Sequence, residues 1–166
     1  ARACREAGPE PPLLVVDSVS GLGGAPLAMD AWGVDVVVTG SQKCLLLPPG
    51  LAFIALGERA WARAGASTGA RYYLDLRRYQ RSLEAGETPF TPAVTLVFAL
   101  EEALRLLRAE GLEASFARHR LMRDMVRAGV RALGLPLWTE ERWASPTVTA
   151  VEAPPGLDVG RLRGIL

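Results

Sequence analysis

The stretch Val36-Val37-Val38-Thr39-Gly40-Ser41-Gln42-Lys43 carries the pattern that decides the fold. A continuous run of β-branched apolar residues is typical of a strand buried on both faces, as in a parallel sheet. The glycine at position 40 ends the run, and a lysine follows on the turn beyond it. Open α/β sheets bind ligands just outside the carboxyl ends of such strands. The stretch therefore predicts a buried strand over 34–38 that places Lys43 at a functional edge of a sheet.

Lys43 is the only lysine among the 19 lysine and arginine residues of the chain. Arginine can replace lysine in a surface ion pair or against a phosphate. It cannot replace a lysine whose amine must form an imine, because the guanidinium stays protonated and is a poor nucleophile. Two interpretations follow from this count. Either an arginine-rich coding bias left one lysine by chance, or the chemistry requires an amine at this position.

A second apolar run, Leu13-Leu14-Val15-Val16, ends at Asp17 and also predicts a buried strand. One strand–connection–strand unit fits between Asp17 and Lys43. If the two strands are parallel neighbours, both side chains emerge at the same edge, although Asp17 could instead cap the next turn. A carboxylate beside an unusual lysine is what pyridoxal phosphate needs. The amine binds the cofactor aldehyde, and the acid keeps the ring nitrogen protonated.

The composition excludes several other classes of function. A formal charge of +1 over 166 residues argues against a nucleic-acid or membrane-surface partner. No apolar run approaches the roughly 20 residues of a membrane span. Cys4 and Cys44 lack metal-ligand spacing, so we expect no metal site and a reducing, cytoplasmic setting. The glycines of the 21–24 segment do not fit the dinucleotide fingerprint, which argues against a nucleotide-binding domain.

The remaining pattern predicts an α/β half followed by helices and a small α+β segment. Polar, proline-containing residues 85–92 predict an exposed loop. We place a domain boundary near Gly111, which gives one domain over 1–110 and another over 111–166. Further strands are predicted over 51–56, 136–141 and 147–152, and helices over 1–7, 29–32, 58–64, 72–83, 94–110, 112–133 and from 159 onward, the last capped by Asp158.

Several stretches, in the same order, resemble class V pyridoxal-phosphate aminotransferases, and most closely the alanine–glyoxylate and serine–glyoxylate group. The resemblance covers nearly the whole chain. It implies the fold type I of pyridoxal-phosphate transferases, with part of the large mixed-sheet domain and the start of the small α+β domain. The matching stretches are LLVVDSVSGLGG at 13–24, DAWGVD at 30–35, TGSQK at 39–43, PPGLA at 48–52, TPFTP at 88–92 and SPTVT at 145–149.

The resemblance also implies roles for individual residues. Lys43 would hold the cofactor as a Schiff base and, once released by substrate, would shuttle a proton. Asp17 would pair with the ring nitrogen, Val19 would pack against one face of the ring, and Gln42 would hydrogen-bond the phosphate.

The resemblance further implies a homodimer with a shared active site. Thr88 and Thr91 would reach the phosphate bound by the other subunit. The family's phosphate loop and the residue that stacks on the other ring face would lie before Ala1, and the arginine that binds the substrate carboxylate would lie after Leu166. We therefore interpret the 166 residues as a fragment and expect them to be inactive alone.

The reaction implied is transfer of an amino group from alanine or serine to glyoxylate. Alternatives are another class V enzyme, such as a phosphoserine aminotransferase, or a truncated, non-catalytic module that dimerises. A cysteine desulfurase fits less well, because those enzymes carry histidine before the lysine where this chain has Gln42. His119 is interpreted as a surface residue, and Cys44 as a packed thiol.

Overall fold

A computed structural model describes residues 1–165 of the protein. No helix in this part of the chain is both long and apolar enough to cross a membrane. The strands are β1 (Val15–Asp17), β2 (Val36–Gly40) and β3 (Ala52–Leu56), and the helices are α1 (Arg2–Arg5), α2 (Met29–Trp32), α3 (Glu58–Ala66), α4 (Leu76–Glu84), α5 (Val94–Glu110), α6 (Leu112–Ala132) and α7 (Val159–Ile165).

The three strands form one mixed sheet in the order β1-β2-β3. Strand β1 runs parallel to β2, with Asp17 opposite Val38, and α2 lies in the connection between them. Strand β3 returns antiparallel to β2, with Ala52 opposite Gly40. The predicted parallel pair is therefore confirmed, and the carboxyl ends of β1 and β2 lie at the same edge.

Strand β2 is buried as predicted, but β1 is not. Val36 and Val37 are buried in the centre of the sheet, whereas Val15 is 57% exposed. The prediction that β1 is covered on both faces is wrong for the part of the chain that the structure describes. Here β1 pairs only with β2, so one of its edges has no neighbouring strand. The strand also begins two residues later than predicted and includes Asp17 as its last residue.

A buried ion pair holds β1 in its register. Asp35, 3% exposed, accepts the backbone N–H of Leu14 at 2.8 Å. The guanidinium of Arg59 donates to both carboxylate oxygens of Asp35 and to the carbonyls of Pro11 and Pro12. A buried carboxylate is stable only when paired and hydrogen-bonded, and both conditions are met here. The segment that leads to Asp17 is thereby fixed to α3 and to the start of β2.

Helix α5 packs against the connection between β2 and β3 and carries much of the core. Leu45 and Leu47 form a buried cluster with Ala103 and Leu107 of α5, and Phe53 of β3 packs against it. The boundaries of α5 are those predicted, because apolar residues repeat at helical spacing until a glycine at position 111 with φ of 85°. This packing fixes the turn that follows β2.

Other predicted elements differ at their ends. Helix α1 spans only the four residues Arg2–Arg5 of the predicted 1–7, and its C-cap is Glu6. Helix α4 begins at Leu76, four residues later than predicted, because Asp75 caps it by accepting the N–H of Arg77. Helix α3 extends two residues beyond its prediction, to Ala66.

The strands predicted over 136–141 and 147–152 are wrong. The segment contains a single antiparallel bridge, Leu137 with Val151, and a 3-10 turn over Glu141–Trp143. The guanidinium of Arg127 donates to the carbonyls of Ser145 and Val148, so a side chain takes the place of a strand partner. The predicted last helix is confirmed, with Asp158 accepting the N–H of Arg161. The domain boundary near residue 111 stays a prediction.

Candidate active site

Asp17 lies at the carboxyl end of β1, where its side chain is held by its own turn. Its Oδ1 accepts the N–H of Val19 at 2.9 Å. Short acidic side chains favour this local bond, which turns the chain away from the strand direction. Oδ2 accepts no hydrogen bond from any residue within 1–165, and the residue is exposed. One carboxylate oxygen is thus available for a ligand.

Lys43 lies on a tight turn that Ser41 closes. Ser41 is fully buried, and its hydroxyl donates to the carbonyl of Pro48 at 2.7 Å and accepts the N–H of Leu51 at 3.1 Å. The backbone of Ser41 also exchanges hydrogen bonds with Leu47 and Leu51. A buried serine therefore joins both sides of the turn, and Lys43 projects from it as an exposed residue.

The same turn stores backbone strain at Leu46. Its φ of 66° is the one positive value at a non-glycine residue in the described chain. The N–H of Leu46 donates to the carbonyl of Lys43 at 3.0 Å. A left-handed conformation costs a leucine roughly 1–2 kcal/mol. Such strain persists where the surrounding packing enforces it, and it clusters at functional sites.

Thr39 ties the end of β2 to the loop after Asp17. The N–H of Ser18 donates to the carbonyl of Val38 at 2.8 Å, and the buried hydroxyl of Thr39 donates to the carbonyl of Ser18 at 3.1 Å. The pairing of β1 and β2 therefore continues one residue beyond Asp17. Since only three residues lie between Thr39 and Lys43, this contact fixes the two turns at the sheet edge relative to each other.

The amide of Gln42 folds back over the end of β2. A Cβ placed on Gly40 would lie 2.9 Å from Oε1 of Gln42, which places the amide beside the last residue of β2. Gln42 is exposed, and Val19 is half-buried. Both lie on the turns that carry Lys43 and Asp17. Four of the six predicted site residues are therefore brought to one edge of the sheet.

The other two predicted residues lie elsewhere. Thr88 and Thr91 are exposed in the connection between α4 and α5. Within residues 1–165 neither one hydrogen-bonds to the turns of Asp17 or Lys43. Their predicted role toward a second subunit stays a prediction.

Two cavities occur away from the sheet edge. One of about 420 Å³ is lined by Phe98, Glu101, Glu102, Arg105 and Arg108, which all lie on α5. The other, about 80 Å³, lies beside Arg127 and the 137–150 segment. Neither includes Asp17 or Lys43. The chemistry at the sheet edge, and not cavity size, therefore identifies the candidate site.

The residues Thr39 and Ser41 were given no role from sequence. Both lie in the quoted stretch that ends at Lys43, but small hydroxyl residues are equally common on exposed turns. Their burial and long-range partners become visible only in the tertiary structure. The sequence does show a hydroxyl residue, Ser41, between a buried strand and a lysine predicted to be reactive, and this position is the one sequence signal for its role.

The family comparison agrees with this geometry. The profile described as Aminotransferase class-V matches residues 3–155. The chain belongs to the class-V aminotransferase family. The resemblance stated from the sequence is confirmed, and so is the fold class, since solved structures of aminotransferases superpose on the chain.

Three relatives illustrate the range of names in this class-V aminotransferase family. The "Soluble hydrogenase, small subunit" of Synechococcus sp. (strain PCC 6716) is 44% identical over 93% of this chain and 40% of its own length. The serine–glyoxylate aminotransferase of Methylorubrum extorquens is 38% identical over 97% of this chain and 42% of its own. The crystal structure of alanine–glyoxylate aminotransferase from Nostoc sp. has a TM-score of 0.86 at 34% identity, covering 97% of this chain and 43% of that one. The chain thus spans about two fifths of the length of these relatives.

Class V aminotransferases use pyridoxal phosphate, and the residues at the sheet edge fit it. The cofactor offers an aldehyde to an amine, a ring nitrogen to a carboxylate and a phosphate to hydrogen-bond donors. Lys43 supplies an exposed amine, Asp17 an unshared carboxylate oxygen, and Gln42 an amide. No group of three or more His, Cys, Asp or Glu in residues 1–165 is placed to hold a metal.

Proposed function

We propose that this chain is part of a pyridoxal-phosphate-dependent aminotransferase that transfers an amino group from alanine or serine to glyoxylate. One observation supports this most. Two neighbouring parallel strands end at the same sheet edge, one in an exposed carboxylate and the next in a turn bearing the only lysine. The glyoxylate enzymes among the relatives support the substrate class.

In this proposal each residue at the edge has one task. The cofactor supplies an electron sink for the carbon from which the amino group leaves. Lys43 holds the cofactor aldehyde through its Nζ and, when free, moves a proton at that carbon. Asp17 keeps a proton on the ring nitrogen through its free Oδ2. Val19 packs against the ring, and Gln42 donates its amide N–H to the phosphate.

The proposal extends to assembly. Thr88 and Thr91, on the exposed connection before α5, would bind the phosphate held by a second copy of the protein. The active site would then be shared in a homodimer, and we place the protein in the cytoplasm. The arginine that orients the substrate carboxylate is expected outside this chain, so we expect residues 1–166 alone to be inactive.

Two alternatives remain as outcomes of the test. A phosphoserine-type class V enzyme would use the same residues with another substrate. A non-catalytic, dimerising module would not bind the cofactor at all.

The test uses the uniqueness of Lys43. Pyridoxal phosphate is added to the longest available protein that contains residues 1–166, the visible band of the lysine-bound cofactor is recorded, and the bond is then reduced with borohydride. Mass spectrometry is expected to find the cofactor on the peptide that contains Lys43. Lys43→Arg is the matched control, because it keeps the charge but cannot form the bond. Alanine and phosphoserine are compared as amino donors.

The outcomes separate the alternatives. A band that is present in the wild type, absent in Lys43→Arg and bleached by alanine supports the proposal. Bleaching by phosphoserine alone supports the phosphoserine-type enzyme. Equal spectra for wild type and Lys43→Arg refute the assignment of Lys43 and favour the non-catalytic module.

A further inference from the structure

Helix α6 reaches the candidate active site through one buried serine. Ser115 is fully buried, and its hydroxyl donates to the carbonyl of Gly23 at 2.8 Å across 92 positions of sequence. Gly23 belongs to the loop that begins at Asp17. A residue of the predicted second domain therefore holds the loop that carries the carboxylate of the site.

The same loop is in close contact with the turn of Lys43. Gly23 has φ of 89°, and a Cβ placed on it would lie 3.1 Å from the carbonyl oxygen of Cys44. A Cβ on Gly24 would lie 2.7 Å from Sγ of Cys44. The thiol itself donates to the carbonyl of Ser20 at 3.6 Å. The two sides of the site therefore touch, Gly23 against the carbonyl of Cys44 and Gly24 against its thiol, and a methyl group on Gly24 would force a neighbouring side chain to move.

Other groups of α6 close this contact from outside. A Cβ on Gly24 would lie 3.0 Å from Cδ2 of His119, and Nδ1 of His119 lies 2.8 Å from the carbonyl of Ser115. His119 is half-buried here, so its interpretation as a surface residue is wrong. Burial raises the pKa of the Cys44 thiol despite the opposing effect of Arg118. The thiol therefore stays protonated and acts as a packing group.

We propose that Ser115 is a positioning residue that sets the geometry between Asp17 and Lys43. We call Ser115, Gly23, Gly24 and Cys44 the Ser115 joint. Ser115 holds Gly23, Gly23 and Gly24 rest on Cys44, and Cys44 is bonded to Lys43. The joint therefore connects both sides of the cofactor site to α6, and a displacement of α6 changes the distance between carboxylate and amine. The proposal rests on the proposed function for its cofactor, but not for the joint itself.

The test compares Ser115→Ala with Arg127→Met in the protein. Both change buried polar contacts of α6, but Arg127 bonds to Glu141, Ser145 and Val148 and, within residues 1–165, makes no hydrogen bond to the loop of Asp17; its segment reaches that loop only through Thr147, beside Gly24. Hydrogen–deuterium exchange is measured without cofactor over residues 18–24 and 41–47, and the dissociation constant of pyridoxal phosphate is measured by its visible band. Unfolding temperatures give the structural loss in each variant.

Removal of the Ser115 hydroxyl leaves a buried carbonyl without its donor. We expect exchange over both segments to rise by about tenfold and the cofactor to bind about tenfold more weakly. Arg127→Met is expected to change both measurements by much less than Ser115→Ala does, even where it unfolds at a lower temperature, because it leaves the bond to Gly23 in place. Gly24→Ala, which forces a methyl group against Cys44, is expected to reproduce the effects of Ser115→Ala and serves if that variant does not fold.

Equal changes in Ser115→Ala and Arg127→Met would overturn the positioning role, because general loosening of α6 would then explain them. Faster exchange with an unchanged dissociation constant would overturn it as well. Unchanged exchange would overturn the joint itself. A wild-type protein that binds no pyridoxal phosphate would instead refute the proposed function, and the exchange data alone would then support or overturn the joint.

Discussion

The turn of Lys43 should lose its stability when Ser41 is replaced by alanine. The hydroxyl of Ser41 satisfies two backbone groups, the carbonyl of Pro48 and the N–H of Leu51. An unsatisfied buried polar group costs about 1–3 kcal/mol. Pro48 is exposed, so its carbonyl can turn to water, whereas Leu51 is half-buried. We therefore expect Ser41→Ala to lower the free energy of unfolding by about 2–3 kcal/mol.

The loss is limited to the hydroxyl, because the backbone bonds of Ser41 to Leu47 and Leu51 remain. With a urea dependence of about 2 kcal/mol per molar, the unfolding midpoint should fall by about 1–1.5 M. The assay is urea unfolding followed by circular dichroism. Exchange of the Leu51 amide should also accelerate, since that N–H loses its acceptor.

Ser82→Ala is the matched control. Ser82 is half-buried in α4, and its hydroxyl makes no hydrogen bond within the described residues. Its replacement should change stability by less than about 0.5 kcal/mol. If Ser41→Ala and Ser82→Ala shift the midpoint equally, the two bonds of Ser41 do not hold the turn, and the account given for Lys43 is wrong.

Two further outcomes are expected. Leu46→Gly should stabilise the protein by up to about 1 kcal/mol in urea unfolding, because glycine relieves the strained φ of 66°. The control Leu83→Gly, in an exposed turn of α4, should destabilise it by a similar amount. A loss of stability in both variants would contradict strain at Leu46. The guanidinium groups of Arg131 and Arg127 lower the pKa of Glu141 below its ordinary value of 4.5, so the unfolded state binds more protons than the folded state below that pH. The stabilisation from Glu141 is present above pH 4.5 and is lost as the pH falls through the lower folded pKa. In Glu141→Gln the free energy of unfolding should therefore fall less steeply with decreasing pH than in the wild type. The same pH dependence in both proteins would refute the role of Glu141.

The parts that local pattern determines were predicted well. The apolar run of β2 and the helical spacing of α5 each correspond to one element with the expected type. The position of Lys43 follows from the same run, because residues just after the carboxyl end of a strand lie at the edge of the sheet. The resemblance then supplied the family, which the profile match over 3–155 confirms.

The parts that failed depend on partners distant in sequence. The 137–151 segment has strand-like composition. The guanidinium of Arg127 nevertheless bonds to the carbonyls of Ser145 and Val148, and the segment forms only one β-bridge. His119 has the composition of a surface position, but it packs beside Gly24. Asp35, an acid within an apolar run, gives a local signal, but its partner Arg59 lies 24 positions away. Contacts between residues so far apart produce no periodic pattern in the sequence.

A lone amine, a carboxylate and two apolar runs were enough to predict that both groups lie at one edge of a sheet, since residue type and apolar runs act over a few positions; their roles toward a cofactor stay a prediction. The relation between Asp17 and Lys43 was a different matter. It required the parallel register of β1 and β2, the buried hydroxyls of Thr39 and Ser41, and Ser115 reaching from α6. Burial and hydrogen bonding between distant segments form only when the whole chain packs, and this packing decides where the turns that carry the two groups lie.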